Sequence, residues 1–366
     1  MYNILKIQQR ALRLMIAAVM ACGLFSSCDS VIYDYEGDCD VKVLAKFRYD
    51  LNMKWADAFP SEVTSVHLYA FDKNDRLVWH GTENGEALRE DDYAMTLDLP
   101  AGDYHLLAWC GLDTPESATR HFTVPDVTVG TTTSEELICR MERARDAAGA
   151  YSDRRLLPLF HGVRDISIPV TDDGGTYCFT VPLTKNTNHV RVILQHLNGN
   201  PVDAKQFTFT IEEENGLMAH DNTLLSDEKI TYRPYHTGSG TASLGIDDYP
   251  QPGEKAAGPR ATIESISVAI ADLSIARLVE GRKTYLTIRT ADADNRLVAR
   301  IPLTDYALLL KDGYEREMTD QEYLDREDEY NLTFFLDEDD YWMSTSIIIN
   351  SWKLVFNNMD FNSKQE

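Results

Sequence analysis

Leu68-Tyr69-Ala70-Phe71-Asp72-Lys73-Asn74-Asp75-Arg76-Leu77-Val78 reads as strand, turn, strand. Val63 to Phe71 forms the first arm. The Asp72–Asp75 cluster supplies turn residues, and Arg76-Leu77-Val78-Trp79 runs back, so the stretch predicts a β-hairpin. Just upstream, Val41 to Tyr49 alternates apolar and polar with only Leu44 out of step, the pattern of a half-buried strand. Downstream, Tyr93 to Leu99 meets Pro100-Ala101-Gly102-Asp103, and Tyr104 to Trp109 returns. Pro fixes φ on entry to that turn and Gly permits positive φ within it. Short strands separated by turns at this spacing predict an all-β antiparallel sandwich.

The strand pattern continues to the end of the chain. Leu157 to Gly162 leads into strands at Ile166–Val170 and Tyr177–Val181, and the pattern restarts at Val190–Leu194 and Phe207–Ile211. Further strands fall at Ile263–Ile270, Tyr285–Ile288, Leu297–Ile301, Tyr330–Leu336 and Ser346–Phe356. Residues 234–259 hold five Gly and four Pro and predict a long irregular loop. Residues 133–149 predict one short helix: Thr133 and Glu136 stand at capping-box spacing, followed by Leu137, Ile138 and Met141. An internal echo links the halves. Leu286 to Val298 repeats the strand, Asp/Asn turn and Arg-Leu-Val of the opening hairpin. The expected organisation is two tandem β-sandwich domains, 41–184 and 185–356, with a polar tail at 357–366.

Hydrophobic residues make up 43% of the 366 and charged residues 26%, an ordinary globular balance. The formal charge of −24 leaves no basic face for phosphate, so the sequence excludes a nucleic-acid partner and a polybasic membrane site. The N-terminus carries a different signal. Lys6, Arg10 and Arg13 precede a 12-residue apolar run from Leu14 to Phe25, then Ser26, Ser27 and Cys28. That is a secretory signal, too short to span a bilayer as a helix. Leu24 to Cys28 resembles a bacterial lipobox, with Phe25 where Leu is usual, so Cys28 is the expected lipidation site at the end of a signal peptide covering 1–27. Loss of that peptide takes the charge from −24 to −27. Two or three acyl chains on one cysteine anchor such a protein firmly. Asp29, Asp34, Glu36, Asp38 and Asp40 make residues 28–40 an acidic tether, resembling the surface-export signal of Bacteroidetes lipoproteins.

Of the remaining cysteines, Cys22 leaves with the signal. Cys39, Cys110, Cys139 and Cys178 are open to disulfide pairing in an oxidising compartment, or to burial as free thiols. No metal site is expected. Asp337–Asp340 and Asp292–Asn295 lack calcium-loop spacing and read as acidic turns. No phosphate loop, GxSxG or HExxH is present, and the nine histidines are scattered. Trp79, Trp109, Trp342 and Trp352 are expected in or near the core rather than as a sugar platform.

Four stretches are familiar in combination. They are Phe47 to Phe59, Leu106 to Leu112, Tyr323 to Leu336, and Ile347-Ile348-Ile349-Asn350-Ser351-Trp352-Lys353-Leu354. With the lipobox they resemble the minor-fimbrilin, or fimbrial anchor, family of type V pili in Bacteroidales; Ser351 departs from the expected Gly. The resemblance implies two transthyretin-like sandwiches and an outer-membrane lipid anchor at the base of a fimbrium. It also implies a fimbrial shaft subunit as partner, and no catalysis, cofactor or small-molecule substrate. It implies attachment by β-strand complementation and a limit on shaft length. Arg48 sits within the first strand, where shaft subunits of that kind are cut by an arginine-specific protease, and reads here as a solvent-facing strand residue. Two other functions compete: a surface lipoprotein that binds glycans through the 234–259 loop and exposed aromatics, and a secreted hydrolase.

Overall fold

The computed structural model describes residues 41–113, 120–171, 174–196, 198–243, 265–314, 316–350 and 352–355. The chain divides into two compact units. Residues 42–170 and 177–366 form one, and residues 1–41 with 171–176 form the other, of which only 41, 171 and 174–176 are described.

Val41–Arg48 is the middle strand of a three-stranded sheet, between Gly175–Pro182 and Met95–Leu97. Its alternation buries Val43, Ala45 and Phe47 and turns Lys42, Lys46 and Arg48 to the other face, as the sequence pattern requires. A five-stranded sheet runs in the order Thr184–Lys185, Phe160–Ile168, Gly102–Cys110, Ser65–Phe71, Leu77–Asn84. The opening hairpin is thus real, with Tyr69 opposite His80 and Ala70 opposite Trp79. Its turn is closed by Asp72, whose Oδ1 accepts the N–H groups of Asn74 (2.8 Å) and Arg76 (3.0 Å), while Asp75 takes φ 56°. Tyr49 meets Phe160 edge to face at 5.0 Å, and Phe47, Phe59 and Tyr93 stack on one another. Gly111 ends the Gly102–Cys110 strand at φ +87°; a Cβ there would run into the Pro158 carbonyl.

The second half contributes two six-stranded sheets. One runs His236–Ser243, Ser265–Ala276, Thr187–His196, Glu329–Leu336, Trp342–Ile349, Trp352–Val355. Thr187–His196 is antiparallel to Ser265–Ala276 and parallel to Glu329–Leu336. The other runs Leu297–Pro302, Tyr285–Thr290, Phe207–Glu213, Ile230–Tyr232, Gly149–Ser152, Ala144–Asp146. The internal echo is a shared turn design. Asp292 Oδ1 accepts from Thr290 Oγ1 (2.7 Å) and Asn295 N–H (3.1 Å), Asn295 takes φ 46°, and both hairpins shift register near the end of the first strand, between Ala70 and Phe71 and between Ile288 and Arg289.

The 184/185 boundary does not separate the sheets. Gly149–Ser152 pairs parallel with Ile230–Tyr232, and Cys139–Met141 pairs with Leu217–Met218. One hydrophobic cluster correspondingly runs from Tyr69 and Trp109 to Phe334 and Ile349. The helix expected at 133–149 is a single 3₁₀ turn, Ser134–Glu136, followed by two short strands, Cys139–Met141 and Ala144–Asp146. The capping box forms, but pairing captures the apolar residues after it: Cys139 is buried opposite Met218, and Met141 is buried opposite Phe122. Short helices lie instead at Phe59–Glu62, Leu303–Leu308 and Asp320–Arg326. Within the expected 234–259 loop, His236–Ser243 is a strand along Ser265–Ala276; glycines at 238 and 240 disguise its period. The rest of that loop lies outside the described residues.

Candidate functional site

The loop after the first strand builds its own frame. Asn52 Nδ2 donates to the carbonyls of Tyr49 (3.0 Å) and Ala56 (2.8 Å), and Asp57 Oδ1 accepts the N–H groups of Tyr49 and Phe59. This holds Trp55 at φ 55°. Far along the chain, Thr319 caps the Asp320–Arg326 helix by accepting from Glu322 N–H at 3.1 Å, a Thr-x-x-Glu signal from which the sequence could have yielded this helix. Arg326, in the last turn, pairs with Glu322 at 2.8 Å and donates to the carbonyls of Asp50 (3.0 Å) and Asn52 (3.3 Å). Its guanidinium lies 3.4 Å from the centre of the Trp55 ring, and that of Arg316 lies 4.2 Å away.

Two further ion clusters lie in the same region. Lys185 bridges Glu62 (2.8 Å) and Asp328. Burial pulls its pKa down, and the two carboxylates outweigh this and hold it above the ordinary value. Arg277 grips Asp325 with both arms of its fork (2.8 and 2.7 Å) and donates to the Asn222 carbonyl (2.6 Å). Between these contacts Glu327 is 9% exposed. Burial first, then the neighbouring charges of Asp328 and Glu329, push its pKa up to about 7. Two of the stretches that carry the family resemblance, Phe47–Phe59 and Tyr323–Leu336, therefore meet in one polar joint. Nothing in the sequence links Trp55 to Arg326.

A cleft of about 720 Å³ opens beside the joint, lined by Asp50, Leu51, His161, Pro182, Arg277 and Gln321 among others. His161 is buried; desolvation lowers its pKa to about 4, so it is neutral near pH 7, hydrogen-bonded through Nε2 to the His220 carbonyl at 2.7 Å. The two arginines of the cleft are already paired, Arg277 with Asp325 and Arg282 with Glu213.

The residues singled out in the sequence fall as follows. Cys28 and Cys39 lie outside the described residues. Cys110, Cys139 and Cys178 are free thiols, so no disulfide joins these three. Cys110 and Cys139 are buried in apolar surroundings that push both thiols well up, and Cys178 faces solvent on its strand. Trp109 is fully buried against His161, and Trp342 packs edge to face on Phe334. Trp79 is half-buried over Gly81, and Trp352 lies in the last described strand. The described side chains of Trp79, Trp109 and Trp342 make no shared platform. The acidic turns spend their carboxylates on their own loops: Asp337 Oδ1 accepts from Asp339 and Tyr341 N–H. Among the described residues no three His, Cys, Asp or Glu side chains converge as a metal site. Arg48 is solvent-facing and pairs with Asp50 at 2.8 Å.

The described sheets define an all-β protein. The family of Fimbrillin-A associated anchor proteins Mfa1 and Mfa2 matches residues 35–358, and the chain belongs to this family. It is 25% identical over 231 residues to the minor fimbrium anchoring subunit Mfa2 of Porphyromonas gingivalis, covering 62% of this chain and 67% of that one. A solved structure from Bacteroides thetaiotaomicron described as a candidate adhesin is 33% identical, with a TM-score of 0.72 over 87% of this chain and 99% of the other. A second from the same species, described as a candidate polysaccharide-binding protein, is 30% identical with a TM-score of 0.70 over 87% and 99%.

Proposed function

We propose that this chain is the lipid-anchored base of a fimbrium, attached to the outer membrane through Cys28 and to the shaft subunit through β-strand complementation. Its role is mechanical and not catalytic: it holds the shaft to the cell and ends its growth. The observation that carries this reading is the family match across 35–358, joined to a sequence signal that ends in Ser26-Ser27-Cys28. The physics of attachment is strand addition, in which main-chain hydrogen bonds supply affinity and alternate side chains fill pockets. Acidic residues 29–40 act as the spacer between lipid and fold. The test is deletion of the gene in its own host with fimbriae followed by electron microscopy. Long fimbriae shed into the medium are expected, with rescue by the intact chain. Fimbriae of unchanged length and attachment would refute the reading.

A further inference from the structure

We propose that Lys185 and Asp328 condense to a side-chain amide, with Glu62 carrying the proton, so that a covalent bond ties the Thr184–Lys185 strand to the start of Glu329–Leu336. The chemistry does not depend on the anchor reading.

The three groups stand assembled. Lys185 Nζ contacts the Asp328 carboxylate directly and lies 2.8 Å from Glu62 Oε2. The lysine side chain is 13% exposed, and both acids are half-buried. Each partner is held by its backbone. Lys185 stands opposite Phe160 across the strand pair, and the N–H of Asn186 donates to the Leu159 carbonyl at 2.7 Å. The Asp328 carbonyl accepts the His189 N–H at 2.8 Å, and the Glu62 N–H donates to the Ala58 carbonyl at 3.0 Å. Phe160, with Tyr49 edge to face upon it at 5.0 Å, walls the site with aromatic surface. Groups held in this way react at an effective concentration of ~10⁵ M or more, enough for an amide to condense in water.

The identity of the cation is a second observation. Elsewhere among the described residues, Arg143, Arg277 and Arg326 fill the places held as deeply in ion pairs. A guanidinium keeps its charge and is no nucleophile, whereas an amine becomes one on giving up its proton. One carboxylate is enough to balance an ammonium. Lys185 has two, one placed to be attacked and one placed to carry a proton.

The step balances within the cluster. The ammonium passes one proton to Asp328, and the freed Nζ lone pair attacks Asp328 Cγ. Glu62 takes a second proton from the nitrogen and delivers it to the Asp328 hydroxyl, which leaves as water with the electron pair of the C–O bond. One C–N bond forms, one C–O bond breaks, and one positive and one negative charge vanish together. Nothing is oxidised, and Glu62 ends ionised as it began. No proton passes to solvent, so the carboxylates that hold the Lys185 proton are also the groups that receive it. The bond would close a loop spanning 143 positions. It would sit where Thr187–His196 and Glu329–Leu336 begin to run parallel, with His189 opposite Glu329, and so fix their register against sliding.

Tryptic digestion of the full chain under denaturing conditions, read by tandem mass spectrometry, tests this. The expected product is one linked species of the Lys185 and Asp328 peptides, lighter than their sum by one water, with no cleavage after Lys185. Lys185→Arg and Asp328→Ala should give both peptides free. Asp328→Asn should restore the same linked species, with ammonia leaving in place of water, a rescue that an ion pair alone does not produce. In Glu62→Gln the linked species should accumulate about 100-fold more slowly after synthesis, the effect of losing one proton-transfer group. Free peptides from wild-type chain aged near neutral pH would overturn the proposal whatever the variants do, and so would linkage of Lys185 to Glu62. Linkage of Glu62→Gln at the wild-type rate would overturn the part given to Glu62.

Discussion

Glu327→Gln should stabilise the protein at alkaline pH and do little at mildly acidic pH. The carboxyl is 9% exposed, and its pKa rises from 4.5 to about 7 through burial, with the charges of Asp328 and Glu329 adding to the shift and hydrogen bonds from Glu329 N–H and Asn350 opposing it. Two cations of the joint are occupied by other groups: Lys185 by Glu62 and Asp328, and Arg326 by Glu322, two carbonyls and Trp55. A folded pKa above the unfolded one means the folded state holds the proton more tightly. Stability is therefore lost as pH rises from 4.5 through about 7, and the loss is complete above that. A shift of this size corresponds to about 3 kcal/mol at pH 8.5, and to about 1 kcal/mol at pH 5.5. Glutamine keeps the acceptor that takes Glu329 N–H (3.3 Å) and removes the charge, at about 1 kcal/mol for placing the amide N–H₂. Urea titrations at the two pH values test this. Wild type should lose about 2 kcal/mol between pH 5.5 and 8.5 that the variant keeps. A variant with the same pH dependence as wild type, or one weaker at pH 8.5, would refute the reasoning.

Arg326→Ala should cost about 2–4 kcal/mol, because it strands two carbonyls and removes a cation from Trp55; Arg326→Lys should recover less than half, since lysine lacks the fork. Chemical denaturation checks both, and a loss below about 0.5 kcal/mol would remove the joint from the account. Gly111→Ala should cost at least about 3 kcal/mol or prevent folding, since the left-handed backbone and the Pro158 carbonyl both oppose a Cβ; a soluble variant melting with wild type would contradict this. Among the three described thiols, Ellman's reagent should modify Cys178 readily and reach Cys110 and Cys139 only on unfolding; rapid native reaction of either would show that their burial is misjudged.

The strands were legible where one face is buried and one is wet, as in Val41–Arg48 and Phe207–Glu213, because period-two alternation is what half-burial demands. Both Asp-centred hairpin turns were legible because a side-chain carboxylate closing on nearby N–H groups is a local event. Long-range pairing overrode local signals elsewhere. The box at Thr133 and Glu136 forms its cap, yet no helix follows, because Cys139 and Met141 gain more by pairing with the strands near 217 and 122. His236–Ser243 was hidden because its glycines leave no period to read. The joint was invisible for a different reason. Arg326 reaches Asp50 and Asn52 across more than 270 positions, and no local pattern encodes such a contact. The family stretches marked its two sides without saying that they touch.

The central claim is that this chain ties a fimbrium to the membrane through one cysteine. The most direct measurement compares host cells carrying the wild-type chain with cells carrying Cys28→Ala, following the protein and the fimbriae in membrane and medium fractions. The account predicts that the variant leaves the membrane fraction and that fimbriae appear in the medium with it. Release of the protein with fimbriae still attached and of unchanged length would contradict it.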